Sequence, residues 1–173
     1  MYAGHASKGF THGIYLTSNA APYDIDIYFN DTAPSSTVVT WKTHAMSNAS
    51  TKDQIVYCWS KIAGFSDFGS YTGNGNADGP MIYLDFRPAL VWIRKISSSG
   101  NWFIYDRIRS PFNEVDDQLL LDANTAETTG SEEIDFLSNG FKCRTADAGI
   151  NTNAATYSYC AWADYATAPV LAI

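Results

Sequence analysis

The sequence predicts an all-β protein, an antiparallel β-sandwich or jelly-roll-like arrangement, and three observations carry that reading. Between Trp59 and Arg109 the turn clusters GNGNADGP and SSSGN cut the chain into three apolar and aromatic runs of strand length, each bounded by residues that accept turn dihedrals. Residues 24–29 alternate Ile25, Ile27 and Phe29 with Asp24, Asp26 and Tyr28, the period of a strand with one buried face. Only 17% of residues are charged, against 46% hydrophobic and 14% aromatic. That balance, rich in Thr, Ser, Asn, Gly and Tyr, suits pleated surfaces and fills a core.

From the start of the chain, residues 13–29 predict a short apolar strand, a turn containing Pro22, and the alternating strand. After NDTAPSS, the run TVVTWKT (37–43) reads as a strand, HAMSNASTKD (44–53) as a polar loop and QIVYCW (54–59) as a further strand. The central stretch supplies strands around Tyr71, Ile82 and Val91 and over Trp102 to Tyr105. The last part then repeats the opening order of strand, turn, strand, polar loop and strand, in LLLDANTAE, EIDFLSNGFKCRT, DAGINTNAA and TYSYCAW. Leu16, Asn19 and Ala21 fall opposite Leu121, Asn124 and Ala126 at one offset. Ser36, Thr43, Tyr57 and Cys58 fall opposite Ser138, Thr145, Tyr159 and Cys160 at an offset three residues shorter.

This pattern reads as a divergent internal repeat. Residues 1–60 form a partial repeat that lacks its opening strands, 61–165 a complete one, and 166–173 an apolar tail. A partial sandwich exposes an apolar face and open strand edges, which folded proteins do not leave to water. The partial repeat can pack on the complete one, receive strands from a second molecule, or belong to a longer tandem protein. Ile25, Ile27 and Phe29 are candidate assembly residues on its apolar face. Val170, Leu171 and Ile173 are candidates in the tail, which serves either as a donor strand or as a last strand docking on its own domain.

The blocks GFSDFGSYTGNG (64–75), DFRPALVWIRK (85–95), GNWFIYDRIR (100–109) and TYSYCAWAD (156–164) resemble a tandem β-rich domain found in virion and tail-fibre-like proteins of tailed, often marine, phages. The resemblance implies an extracellular or virion setting. It brings no catalytic residue with it.

A net charge of -7 and the interleaving of Arg87, Arg94, Lys95, Arg107 and Arg109 with apolar residues disfavour nucleic acid, which needs a basic stripe. No run is long enough to insert in a membrane as a helix, and MYAGHASKGF has no secretory-signal pattern. Cys58, Cys143 and Cys160 are odd in number and widely spaced, so buried free thiols are expected rather than a disulfide framework or a zinc site.

Other chemistry is weighed against plainer roles. GNGNADG (73–79) has the Gly, Asn and Asp of a calcium loop but a single carboxylate, Asp78, so a turn is expected. The carboxylates Glu114, Asp116, Asp117, Asp122, Glu127, Glu132, Glu133 and Asp135 are read as a solvated acidic face, the alternative being a glycosidase pair. His5, His12 and His44 show no metal or nucleophile spacing. The tryptophans are expected in the core, with Trp102, beside the turn SSSGN, half exposed and a candidate glycan contact. Asn30 and Asn48 head two glycosylation sequons.

The expected function is structural and non-enzymatic: a subunit of a phage tail fibre or similar extracellular filament, joined head to tail to copies of itself through strand exchange or edge pairing, with no cofactor. The alternative is a carbohydrate-binding module that recognises host-surface glycans, and a glycan depolymerase is the remote third.

Overall fold

The structure, a computed structural model, describes residues 1–164 apart from 25, 27, 46, 131 and 132. Ile25, Ile27, Val170, Leu171 and Ile173 lie outside the described residues.

The fold is all-β and entirely antiparallel. Near the N-terminus β1 (Tyr2–Ala3), β2 (His12–Tyr15) and β3 (Tyr23–Asp24) make a small sheet in that order, with a 3₁₀ turn at Ala6–Lys8 between the first two. There follow β4 (Ser66–Thr72), β5 (Met81–Tyr83), β6 (Pro88–Lys95), β7 (Trp102–Asp106), β8 (Gln118–Leu120), β9 (Ile134–Leu137), β10 (Gly140–Cys143) and β11 (Thr156–Ala163). They form a five-stranded sheet, β4-β11-β6-β7-β8, and a three-stranded sheet, β5-β10-β9.

Alternation along the strands explains how these sheets stack as a sandwich. On β11, Tyr157, Tyr159, Ala161 and Ala163 face one way. With Val91, Ile93, Phe103, Tyr105 and Tyr71 they bury against Ile82, Ile134, Phe136, Phe141 and Cys143 of the smaller sheet. The aromatic rings interlock across the gap, Phe141 edge-on to Tyr71 at 6.2 Å and to Tyr159 at 5.6 Å.

The opposite face of the large sheet is also covered, and the cover comes from the first twenty residues. Ile14 and Leu16 pack on Trp92, Ile96 and Trp102. The Arg94 guanidinium, fully buried, donates to the carbonyls of Tyr15 (2.6 Å), Ser18 (3.0 Å) and Ala20. Trp102 Nε1 donates to Tyr15 O at 2.8 Å, and the Gly100 N–H to Asn19 O at 2.9 Å. Of the coverings open to the N-terminal part, packing within the chain is realised for residues 1–20.

Trp102 is thereby corrected: it is 2% exposed, not half exposed, because residues 14–19 roof it. The alternating strand over 24–29 is also corrected. β3 stops at Asp24, the Asn30 N–H donates to Asp26 O and the Thr32 N–H to Phe29 O, both 2.9 Å, so tight turns replace a ladder. Tyr28 and Phe29, neighbours in sequence, are both buried, which period two forbids. Phe29 packs on Phe10 and Trp41 and is not free for assembly. The runs 37–43 and 54–59 are not strands either. Their counterparts in the second half, β10 and β11, are held by neighbouring strands, whereas among the described residues no strand pairs with the runs of the first half.

Candidate assembly surface

β4 is an edge strand. Ile62 and Ser66 exchange both backbone hydrogen bonds, at 3.0 and 2.9 Å, so Ser66 turns its N–H and C=O away from β11. With a period of two, Phe68, Ser70 and Thr72 do the same. Asp67 Oδ1 accepts from the Phe68 N–H at 2.8 Å. Beyond that point no strand among the described residues pairs with this edge.

Beside it runs an extended, exposed segment. Residues 51–63 are exposed throughout, including Ile55 (82%), Tyr57 (68%), Trp59 (57%) and Ile62 (52%). The segment begins a hairpin with β4. Besides the Ile62–Ser66 pair, Ser66 Oγ donates to Ser60 O at 2.9 Å and Lys61 Nζ to Asp67 at 2.8 Å, a hydrogen bond that raises the exposed Lys61 pKa. The hairpin then stops. Continued, it would put Trp59 on the core face opposite Gly69, but the Trp59 ring stands 6.2 Å from Trp162, on the outer face with Phe68 and Trp92. Tyr57 stacks on Trp59 at 6.1 Å. The segment is one residue out of phase with the edge beside it, and a one-residue slip exchanges the faces of every side chain.

A cleft of about 330 Å³ lies at the far end of the same segment, between Tyr2, Tyr28, Trp41, Ser47, Asn48 and Gln54, with Ile55 and Val56 at its rim. Tyr2, Tyr15, Tyr23 and Tyr28 form a ring cluster behind it, with centroids 4.1–6.5 Å apart. Burial first, then its hydrogen bond to Tyr15, pushes the Tyr23 hydroxyl up to about 12.

Other residues singled out in the sequence make the following contacts. The loop after β4 is a turn built on side-chain amides. Asn74 Oδ1 accepts from the Asn76 N–H and Asn76 Oδ1 from the Asp78 N–H. Asn151, fully buried, accepts from the Asn74 N–H at 2.8 Å and donates to Asn74 Oδ1, Asn76 O and Thr145 O. Gly73 is required there, since a β-carbon would lie 2.3 Å from Thr152 O. Among the described residues no group of three or more His, Cys, Asp or Glu could hold a metal ion.

The acidic stretch is partly neutralised in place. Arg144 lies 3.7 Å from Glu114 and 3.4 Å from Asp135, and Arg109 bonds Asp106 at 2.6 Å and Glu127 at 2.9 Å. His5 is buried; its Nδ1 accepts from the Ser7 N–H, and its Nε2–H donates to Tyr159 O at 3.1 Å. Ser7 Oγ shares short hydrogen bonds with His5 Nδ1 and with Ser158 Oγ, tying the 3₁₀ turn to β11.

Cys143 and Cys160 are buried free thiols as expected, raised by burial to about 11 and about 12, whereas Cys58 is exposed. Asn30 and Asn48 are exposed outside any strand. The out-of-phase segment and the Asn151 staple had no sequence signal of their own. Only the strand composition of QIVYCW hinted at the first.

No helix among the described residues is long and apolar enough to cross a membrane. No curated protein and no solved structure matches the chain. A family model does, described as Domain of unknown function (DUF7483). Its match over residues 2–166 takes in both the N-terminal cover and the sandwich, and the chain belongs to that family.

Proposed function

We propose that the protein is a non-enzymatic structural subunit of a phage tail fibre or similar extracellular filament, joined to copies of itself through strand exchange or edge pairing. The observation that carries this reading is the surface of residues 51–63, where Ile55, Tyr57, Trp59 and Ile62 face water beside the open edge of β4. Apolar surface next to unpaired backbone favours association, both through area removed from water and through ladder hydrogen bonds. The virion setting comes from the resemblance of residues 64–75, 85–95, 100–109 and 156–164 to domains of phage fibres. A contact between unlike surfaces does not close on itself, so head-to-tail joining extends into a filament.

Light scattering and electron microscopy of the purified chain over a range of concentrations test the reading, with a version ending at Tyr165 alongside. Concentration-dependent growth into filaments is the expected result. Loss of growth in the shortened version would assign the joint to the tail. A chain that stays monomeric at every concentration overturns the proposal.

The cleft beside Trp41 favours a second reading, a carbohydrate-binding module. Aromatic rings with the neutral amides of Asn48 and Gln54 at one concave site suit an uncharged sugar, and the volume is at the small end of ligand sites, which start at about 300 Å³. A glycan array followed by titration tests it. Binding that Trp41→Ala abolishes would establish this reading, and the absence of any bound glycan would remove it.

A further inference from the structure

β4 already carries, on its inner edge, a run equivalent in sequence to the exposed one. β11 reads TYSYCAW and the exposed run QIVYCW, with Tyr57-Cys58 standing where β11 has Tyr159-Cys160. β11 pairs with β4 over seven residues, antiparallel, from Thr156 opposite Thr72 to Trp162 opposite Ser66. There Tyr157 and Tyr159 enter the core while Ser158 and Cys160 face the other side. In the exposed run Ile55 and Tyr57 hold the positions of the two core tyrosines, and Val56 and Cys58 those of Ser158 and Cys160. The run therefore has the side-chain pattern that β4 accepts.

Its own chain leaves that pattern unused. The Ile62–Ser66 pair sets a register in which Trp59 and Tyr57 would face the core, but past Ser60 the run leaves it, and Tyr57 and Trp59 lie on the outer face by Trp162, out of phase with the edge. A run from a second molecule does not share this departure and can take the phase that β4 accepts. Building on the assembly reading above, we propose that residues 54–59 of one copy add as an antiparallel strand to the open edge of β4 in a second copy. Ile55 and Tyr57 turn to the core face, and Val56 and Cys58 to the face of Ser70. The partner is thus another copy of this chain, and the sheet continues from one molecule into the next.

Cys58 makes the phase directly readable. Strands paired in this way bring opposed Cα atoms to about 4.5–5.5 Å, within the span a disulfide bridges. One copy keeps Cys58, and the other carries Cys58→Ser with Phe68→Cys, the position opposite Cys160 of β11, or with Ser70→Cys to cover a two-residue shift of register. Cys143 and Cys160 are buried and do not compete. Mixed under mild oxidation, the two copies are expected to give a disulfide-linked pair through one of the two acceptor positions. Replacing Cys58 by Ser in the donor copy removes it. Ile55→Asp with Tyr57→Asp, at positions exposed in the single chain, is expected to weaken association by about tenfold or more while leaving the unfolding midpoint unchanged.

If the link instead forms only within a chain carrying both Cys58 and Ser70→Cys, the run is its own chain's hairpin strand and the inference falls. Association that persists with no link at either acceptor position also overturns the inference while the assembly reading stands. A chain that never associates removes both.

Discussion

Two buried side chains fasten the N-terminal cover to the sandwich, and each has a test of its own. His5 is held neutral, since burial lowers its pKa from 6.5 more than its hydrogen bond to the Tyr159 carbonyl raises it. As pH falls through about 6.5 the unfolded chain takes a proton that the folded one refuses, so the stability present above that pH is lost below it. The loss is at most about 1.4 kcal/mol per pH unit until the folded pKa is reached. Denaturant unfolding between pH 7.5 and 5.5 is expected to show this slope in the wild type. His5→Gln, which keeps a donor for Tyr159 O, should remove His5's share of it. Equal slopes in both would place the proton uptake elsewhere. Arg94 is the second fastener. It spends its guanidinium on three carbonyls, its Nε has no hydrogen-bond partner among the described residues, and Asp122 supplies the nearby negative charge. Arg94→Lys keeps the charge but loses the planar fork, and is expected to cost about 2–3 kcal/mol. Hydrogen exchange should accelerate first at residues 14–20. Unchanged exchange there would mean that the other contacts of the cover, the Trp102 and Gly100 hydrogen bonds and the packing of Ile14 and Leu16, hold it without Arg94.

At the scale of elements, what could be read in advance followed from whether a signal was local. The strands of the central stretch carry their own punctuation, as where GNGNADGP separates β4 from β5 and SSSGN separates β6 from β7, and they lie where they were expected. The runs at 37–43 and 54–59 have equally good strand composition. But a strand also needs a neighbour to receive its backbone hydrogen bonds, and no local pattern reports whether one is present. Trp102 failed for a related reason: its roof comes from residues about ninety positions earlier, which nothing around SSSGN reveals. Asn151 was equally hidden, an asparagine in a polar loop that proves to be fully buried and to tie two loops together. Asn151→Ala leaves the Asn74 N–H and the carbonyls of Asn76 and Thr145 without their partner. It is expected to destabilise the protein by about 2–3 kcal/mol, with faster exchange at residues 73–79. A change confined to global stability, with exchange in the loop unaltered, would contradict the staple.

For the whole molecule, charge and apolar surface act in opposite directions, and that opposition is measurable. Each chain carries -7 at neutral pH, so two copies repel at long range. The proposed contact is made by Ile55, Tyr57 and backbone groups, and the nearby ion pair Lys61–Asp67 is satisfied inside its own chain. Salt therefore has repulsion to screen and no ion pair between copies to weaken. Raising NaCl from about 0.01 M to 0.15 M shortens the Debye length from about 30 Å to about 8 Å, and association is expected to tighten several-fold. Sedimentation velocity at fixed pH measures this without disturbing His5. A joint built from charge complementarity would loosen over the same range. Such a result would move the search for the interface from the edge of β4 to the acidic stretch around Glu114 and Asp135, where Arg144 is shared between two carboxylates and half of such a contact is already assembled.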